Sequence, residues 1–211
     1  MVMPLVMPMT LADLDAIMLL ERECFRDPWS RHMYVVDLTQ NSLATYLVLR
    51  PHSSPGEVSS PTPAPTAQPG RAGKEVSSPT GKEVSEPVLA YGGFWLLMEE
   101  AHIATIASHP RWRGCGLAQW LMLALLEAAL ARGAERSTLE VRVGNLPARR
   151  LYEKLGYEVV GIRPRYYRDG EDGLIMTTSS LREPSVQERL AAVRAGTIAR
   201  LDKCFGELIE T

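Results

Sequence analysis

The sequence predicts a mixed α/β domain built on one central sheet. Apolar runs of strand length alternate with helical patterns along most of the chain. One of those strands, Ala101 to Ser108, passes through a basic, glycine-bearing turn directly into a long apolar helix. After the short helix Pro147–Leu155 the sheet closes in a strand–loop–strand hairpin, so it cannot be purely parallel.

Residues 3–9 read as the first strand. Thr10-Leu11-Ala12-Asp13 is a capping-box sequence, with a threonine N-cap and an acid three residues on. The helix it opens turns Leu11, Leu14, Ile17, Met18 and Leu20 toward a core. Asp27-Pro28-Trp29-Ser30 breaks that pattern, and Ser30 can cap a second short helix reaching about Leu38. Tyr46 to Leu49 is a strand.

Pro51 to Pro87 has a different composition, holding eight of the fifteen prolines, seven serines and almost no large apolar residue. Gly56-Glu57-Val58-Ser59-Ser60-Pro61-Thr62 returns at Gly73 to Thr80 and again, altered, at Gly81 to Pro87. Such a segment cannot bury enough apolar surface to offset the entropy of ordering it. It is expected to be a disordered insertion in a strand–strand loop, which closure entropy tolerates because it grows slowly with length.

Val88 to Leu96 is the next strand, with Gly92-Gly93 at its centre. Glu99-Glu100 turns the chain into the strand Ala101–Ser108, and Pro110 ends it. The helix from Gly116 to Arg132 is apolar nearly all round and needs cover on several sides; Gly133 suits its C′ position. Thr138 to Val143 alternates, with Leu139, Val141 and Val143 on one face and Thr138, Glu140 and Arg142 on the other. A short helix follows from Pro147 to Leu155, then a strand from Tyr157 to Ile162. A polar, aromatic loop from Arg163 to Asp172 leads to a last strand, Gly173–Ser180. Glu183 to Thr211 is an amphipathic helix with a stripe of Val186, Leu190, Val193, Ile198, Leu201, Phe205 and Leu208. It either covers its own domain or pairs with another chain.

The 211 residues suffice for one domain with appendages, and a net charge of -2 argues against a protein that wraps nucleic acid. Cys24, Cys115 and Cys204 form no Cys-x-x-Cys pair and are odd in number, which points to free thiols in a reducing cytoplasm. The four histidines have no metal-ligand spacing, so no metal is expected. The apolar N-terminus lacks a basic start and is broken by two prolines, so it reads as a strand rather than a signal peptide. The longest apolar run, Leu121–Leu130, is too short to span a bilayer and carries Glu127.

The turn Arg113-Gly114-Cys115-Gly116-Leu117-Ala118 carries the first chemical signal. Backbone N–H groups at a helix start lack internal partners, the helix dipole adds positive charge there, and glycines let an anion approach. A diphosphate is the ligand this arrangement suits.

With Arg113, Gly116 and Ala118 in the Arg/Gln-x-x-Gly-x-Gly/Ala pattern, the chain resembles the GNAT (Gcn5-related) N-acetyltransferases. Within them it is most similar to the RimI group of bacterial ribosomal-protein alanine N-acetyltransferases. The resemblance extends to Asp27-Pro28-Trp29-Ser30, Leu139-Glu140-Val141-Arg142-Val143-Gly144-Asn145, Leu151-Tyr152-Glu153-Lys154-Leu155-Gly156-Tyr157, and Arg165-Tyr166-Tyr167 followed by Asp169-Gly170-Glu171-Asp172. It spans about Met3 to Leu181, interrupted by the Pro51–Pro87 segment. It implies a GNAT fold over 1–181, with 51–87 inserted and 182–211 an appended helix. That fold has a mostly antiparallel sheet whose central strands splay around an acetyl-CoA cleft.

The same resemblance implies roles. Glu140 would be the general base and Tyr152 the acid that protonates the leaving thiolate. Backbone groups of Ile106, Ala107 and Ser108 would hold the pantetheine arm. The turn of Arg113, Gly114, Cys115, Gly116, Leu117 and Ala118 would hold the diphosphate, and Asn145 would touch the cofactor, although it equally suits a helix N-cap. Arg149 and Arg150 either reach phosphate or face solvent, and Cys115 is expected to be a bystander. Trp29 and Tyr166 would line the acceptor groove, or else serve as packing aromatics. His109 and Trp120 depart from the usual pattern beside the turn. The implied activity is N-terminal acetylation of a ribosomal protein or similar peptide by a cytoplasmic monomer or weak homodimer. The alternatives are a small-molecule or lysine acetyltransferase and an acetyl-CoA-binding module without turnover.

Overall fold

Seven strands make one sheet in the computed structural model, which describes residues 3–51 and 87–206. The repeat segment falls outside the described residues apart from its two end prolines, and so does Leu208 of the C-terminal stripe. The strands are β1 (Leu5–Pro8), β2 (Ala44–Arg50), β3 (Ala90–Leu97), β4 (Glu100–Ser108), β5 (Arg136–Arg142), β6 (Tyr157–Arg163) and β7 (Gly173–Thr178). Their order is β1-β2-β3-β4-β5-β7-β6, with β4 and β5 parallel and every other pair antiparallel. The helices are α1 (Leu14–Cys24), α2 (Arg31–Thr39), α3 (Leu117–Ala131), α4 (Leu146–Lys154) and α5 (Pro184–Gly206).

The sheet separates two cores. Along β2 Val48 faces one and Leu49 the other, as a side-chain period of two requires. On one side α1 and α2 bury Leu14, Ile17, Leu20 and Tyr34 against Tyr46, Val48, Tyr91 and Ala107. On the other, α3 buries Leu117, Leu121, Met122, Leu125 and Leu126, and α5 covers it with Val186, Leu190, Leu201 and Phe205. The C-terminal helix thus supplies the cover that the all-round apolar α3 requires. No helix among the described residues is long and apolar enough to cross a membrane.

Several local expectations are corrected. Leu11, expected in the core, is 47% exposed because Leu11–Asp13 is a 3-10 turn and the α-helix starts only at Leu14. The capping acid does act: Asp13 accepts from the Thr10 backbone N–H at 2.6 Å and pairs with Arg50. Val143, expected to continue the alternation with Leu139 and Val141, lies past the end of β5 and is exposed. The turn before β4 centres on Met98, at φ +56°, and Glu100 already belongs to the strand.

The largest correction concerns the thiols. Cys115 and Cys204 are joined as a disulfide with Cα atoms 5.7 Å apart, a bond that sequence spacing could not reveal across 89 residues. Cys24 alone is free.

Candidate active site

The site forms where two parallel strands part. β4 pairs with β5 only from Glu100–Ile103 against Arg136–Leu139, although β4 runs on to Ser108 and β5 to Arg142. The parting begins at a β-bulge. Gly93 opposes Thr105 and Phe94 opposes Ile103, so Ala104 has no partner on β3. An extra residue bends its strand and reverses which side chains face which layer. Below the bulge Ile103 packs in the α3 core; above it Ile106 does so, while Ala107 joins the α1 core. The backbone of Ile106, Ala107 and Ser108 is thereby left with one edge open toward the gap. The Ser108 carbonyl also accepts from the Cys24 thiol at 3.5 Å.

At the upper end of β4 the chain passes through a 3-10 turn, Pro110–Trp112, into Arg113–Gly116 and α3. Gly114 (φ +86°) and Gly116 (φ +97°) occupy the left-handed region that disfavours side chains. A Cβ at Gly114 would meet nothing within 4 Å, so the turn is open there. Leu117 and Ala118 are the first residues of α3 proper, where N–H groups have no intrahelical acceptor. The residues fit a diphosphate. The bond of Cys115 to Cys204 ties this turn to α5.

Glu140 sits on β5, in the middle of the sheet, with its side chain only 6% exposed. Its Oε2 is 3.1 Å from Nε2 of His102 and its Oε1 is 3.0 Å from Nη2 of Arg163. The His102 hydrogen bond, then the charges of His102 and Arg163, outweigh burial and hold its carboxyl below the usual range. Tyr152 projects from α4 into the core, its ring 5.7 Å from that of Tyr157. Burial first, and Tyr167 second, push its hydroxyl well above an ordinary tyrosine. Tyr167 also feels Glu140, so it stands electrostatically between the two residues; burial, partly countered by Arg142, pushes it up to about 12.

Trp29, expected to line the acceptor groove, begins a row of stacked rings. Trp29 stacks on Trp95 (5.9 Å, 19°), and Trp95 on His102 (6.1 Å, 14°). The Trp29 backbone N–H donates to Glu21 at 3.0 Å, a carboxylate 1% exposed that also accepts from the hydroxyls of Tyr91 and Tyr34. Tyr166 is 45% exposed, meets Tyr167 edge-on, and lies under Arg163. Arg142 clasps the surroundings: it pairs with Asp169 (2.8 Å), Glu171 (2.9 Å) and Asp27 (3.6 Å), and lies 3.9 Å over the Tyr167 ring. Asn145 caps α4, its Oδ1 accepting from the Ala148 N–H at 3.3 Å. Arg149 spends a donor on the Val143 carbonyl at 3.0 Å.

Sequence reasoning missed His102, Trp95 and Arg163 at this site. The alternation of β5 placed Glu140 and Thr138 on one face. His102 opposes Thr138, so it is Glu140's diagonal neighbour, but only strand register discloses that.

The chain matches the acetyltransferase (GNAT) family over residues 14–157. It is 33% identical over 169 residues to a Bacillus subtilis protein provisionally named a ribosomal protein bS18-alanine N-acetyltransferase, a match covering 80% of this chain and 90% of that one. An N-alpha-acetyltransferase of Sulfurisphaera tokodaii is 40% identical over 81 residues, covering 38% of this chain and 48% of the relative. Among solved structures, the Escherichia coli ribosomal-protein-S18-alanine N-acetyltransferase shares the fold with a TM-score of 0.62 at 24% identity, over 86% of this chain and 98% of that chain. The chain therefore belongs to the GNAT family, and is an acetyltransferase that uses acetyl-CoA as its acetyl donor.

Proposed function

We propose that this enzyme acetylates the N-terminal α-amine of a ribosomal protein or a similarly presented peptide, with Glu140 as base and Tyr152 as acid. The observation that carries the reading is the Glu140 carboxylate, buried where β4 and β5 part and gripped by His102 and Arg163. The relatives named for bS18 and for N-alpha acetylation support the choice of acceptor.

Bound acetyl-CoA supplies a thioester carbonyl. Glu140, held ionised, accepts a proton from the incoming ammonium directly or through a water. His102 donates Nε2–H to the carboxylate and fixes its direction. Tyr152 keeps its proton at neutral pH and can deliver it to the departing sulfur. A carboxylate with a depressed pKa is a weak base, so the acceptor's own pKa decides what it can deprotonate. An α-amine at about 7.7–8.0 is roughly 2.5 units below lysine at about 10.4, which makes its deprotonation about 3.5 kcal/mol easier.

Backbone groups of Ile106, Ala107 and Ser108 would align the pantetheine arm, and the turn Arg113–Ala118 the diphosphate. Trp29 and Tyr166 would flank the acceptor. The catalytic domain would be residues 1–181, with 51–87 an insertion between β2 and β3. A ribosomal-protein acceptor places the work in the cytoplasm.

Incubation with acetyl-CoA and peptides of varied N-termini, each carrying an internal lysine, tests the reading. Fragment masses should place the acetyl group on the α-amine. Transfer to polyamines or to the lysine alone would overturn the acceptor assignment, and tight acetyl-CoA binding without turnover would overturn the enzyme reading.

A further inference from the structure

We propose that Arg200, on the C-terminal helix α5, is a ligand of the coenzyme diphosphate, so that α5 forms a second wall of the coenzyme site. This rests on the turn Arg113–Ala118 holding that diphosphate.

α5 is docked on the turn by three independent ties. Cys204 is bonded to Cys115, and Phe205 stacks on Trp112 with ring centroids 5.2 Å apart. Thr197, fully buried, lies against Gly116: a Cβ built there would be 3.4 Å from Thr197 Cγ2. The same Cβ position is 3.7 Å from Arg200 Cδ and 3.9 Å from its Nη1, so the guanidinium lies beside the N-cap glycine of α3.

Arg200 is held there by the side chain of Gln119, whose Oε1 accepts from Nη1 at 3.1 Å. Gln119 is 6% exposed, which fixes that anchor. Arg200 has no carboxylate partner among the described residues. A guanidinium carries five donors in a planar fork, and the anchor takes one of them. Arg200 is exposed, and an exposed cation without a carboxylate partner beside an anion-binding turn is poised for a phosphate oxygen.

The test measures binding rather than turnover, by calorimetry with coenzyme A, dephospho-coenzyme A and pantetheine as titrants. Arg200→Gln should weaken coenzyme A and dephospho-coenzyme A alike, by about tenfold, the worth of one charge-assisted hydrogen bond. Pantetheine binding and the melting temperature should stay unchanged. Cys204→Ala, which frees the helix end, should give a smaller loss of the same pattern. Equal coenzyme A affinity in Arg200→Gln and the unaltered protein would overturn the inference, and so would a loss confined to coenzyme A, which would assign Arg200 to the 3′-phosphate. Failure of the unaltered protein to bind coenzyme A at all would instead overturn the reading of the turn.

Discussion

Cys204→Ala removes the bond between Cys115 and Cys204, which closes a loop across 89 residues. In the chain-entropy description a closure of that length takes about 15 cal/mol/K from the unfolded chain, about 4.6 kcal/mol at 25 °C. That is a large share of a typical domain stability of about 5–15 kcal/mol. At about 2–4 °C per kcal/mol for a protein of this size, the variant should melt roughly 9–18 °C below the oxidised protein. Reductant should lower the melting temperature of the unaltered protein by a similar amount and leave the variant's unchanged. A thiol titration in denaturant without reductant should find only Cys24 reactive. All three cysteines reacting before reduction, together with an unchanged melting temperature in Cys204→Ala, would refute the reasoning. Disulfides are rare in reducing compartments, so the same titration on freshly lysed cells bears on where the protein works.

Gly116→Ala places a side chain at φ +97°, which costs about 1–2 kcal/mol, and should lower both the denaturation midpoint and coenzyme A affinity. Because burial raises its hydroxyl, Tyr152 should cause no alkaline loss of rate up to pH about 10, and Tyr152→Phe should lower kcat without altering acetyl-CoA binding. Glu140 has a depressed folded pKa, so its contribution to stability is present above its unfolded value of about 4.3 and is lost as pH falls through the folded one. His102→Ala removes the main cause of that depression and should flatten the acid limb of a stability–pH curve over this window; an unchanged limb would show that His102 does not hold the carboxylate.

The turn Arg113–Ala118 was legible as a candidate anion site because its cues are local: a strand, two glycines and a helix start lie within one short stretch. Glu140 was legible as a candidate by its place in Leu139–Asn145, and the alternation of that strand put it opposite Leu139 and Val141. Its surroundings were not. His102 reaches it through the register of two strands separated by α3, and Arg163 through the β6–β7 pairing. The bulge at Ala104, which turns the upper half of β4 over, leaves no mark in a run reading Ile-Ala-Thr-Ile-Ala. Leu11 misled because a capping box names the start of a helical segment without distinguishing a 3-10 first turn from an α-helical one. The cysteine count misled because an odd number with no close pair says nothing about a turn and a distant helix that the fold brings together. Arg142 illustrates the same limit: its clasp joins the α1–α2 connection to the β6–β7 loop, and only the assembled sheet brings them within reach.

The most direct test of the central claim is the single-turnover rate of acetyl transfer from acetyl-CoA to a peptide α-amine in Glu140→Gln. The substitution keeps the shape of the side chain and removes its charge from between His102 and Arg163. Compared at a temperature where both proteins are folded, the account predicts a fall of about 10²-fold or more, with acetyl-CoA affinity little changed. A rate equal to that of the unaltered enzyme would contradict it.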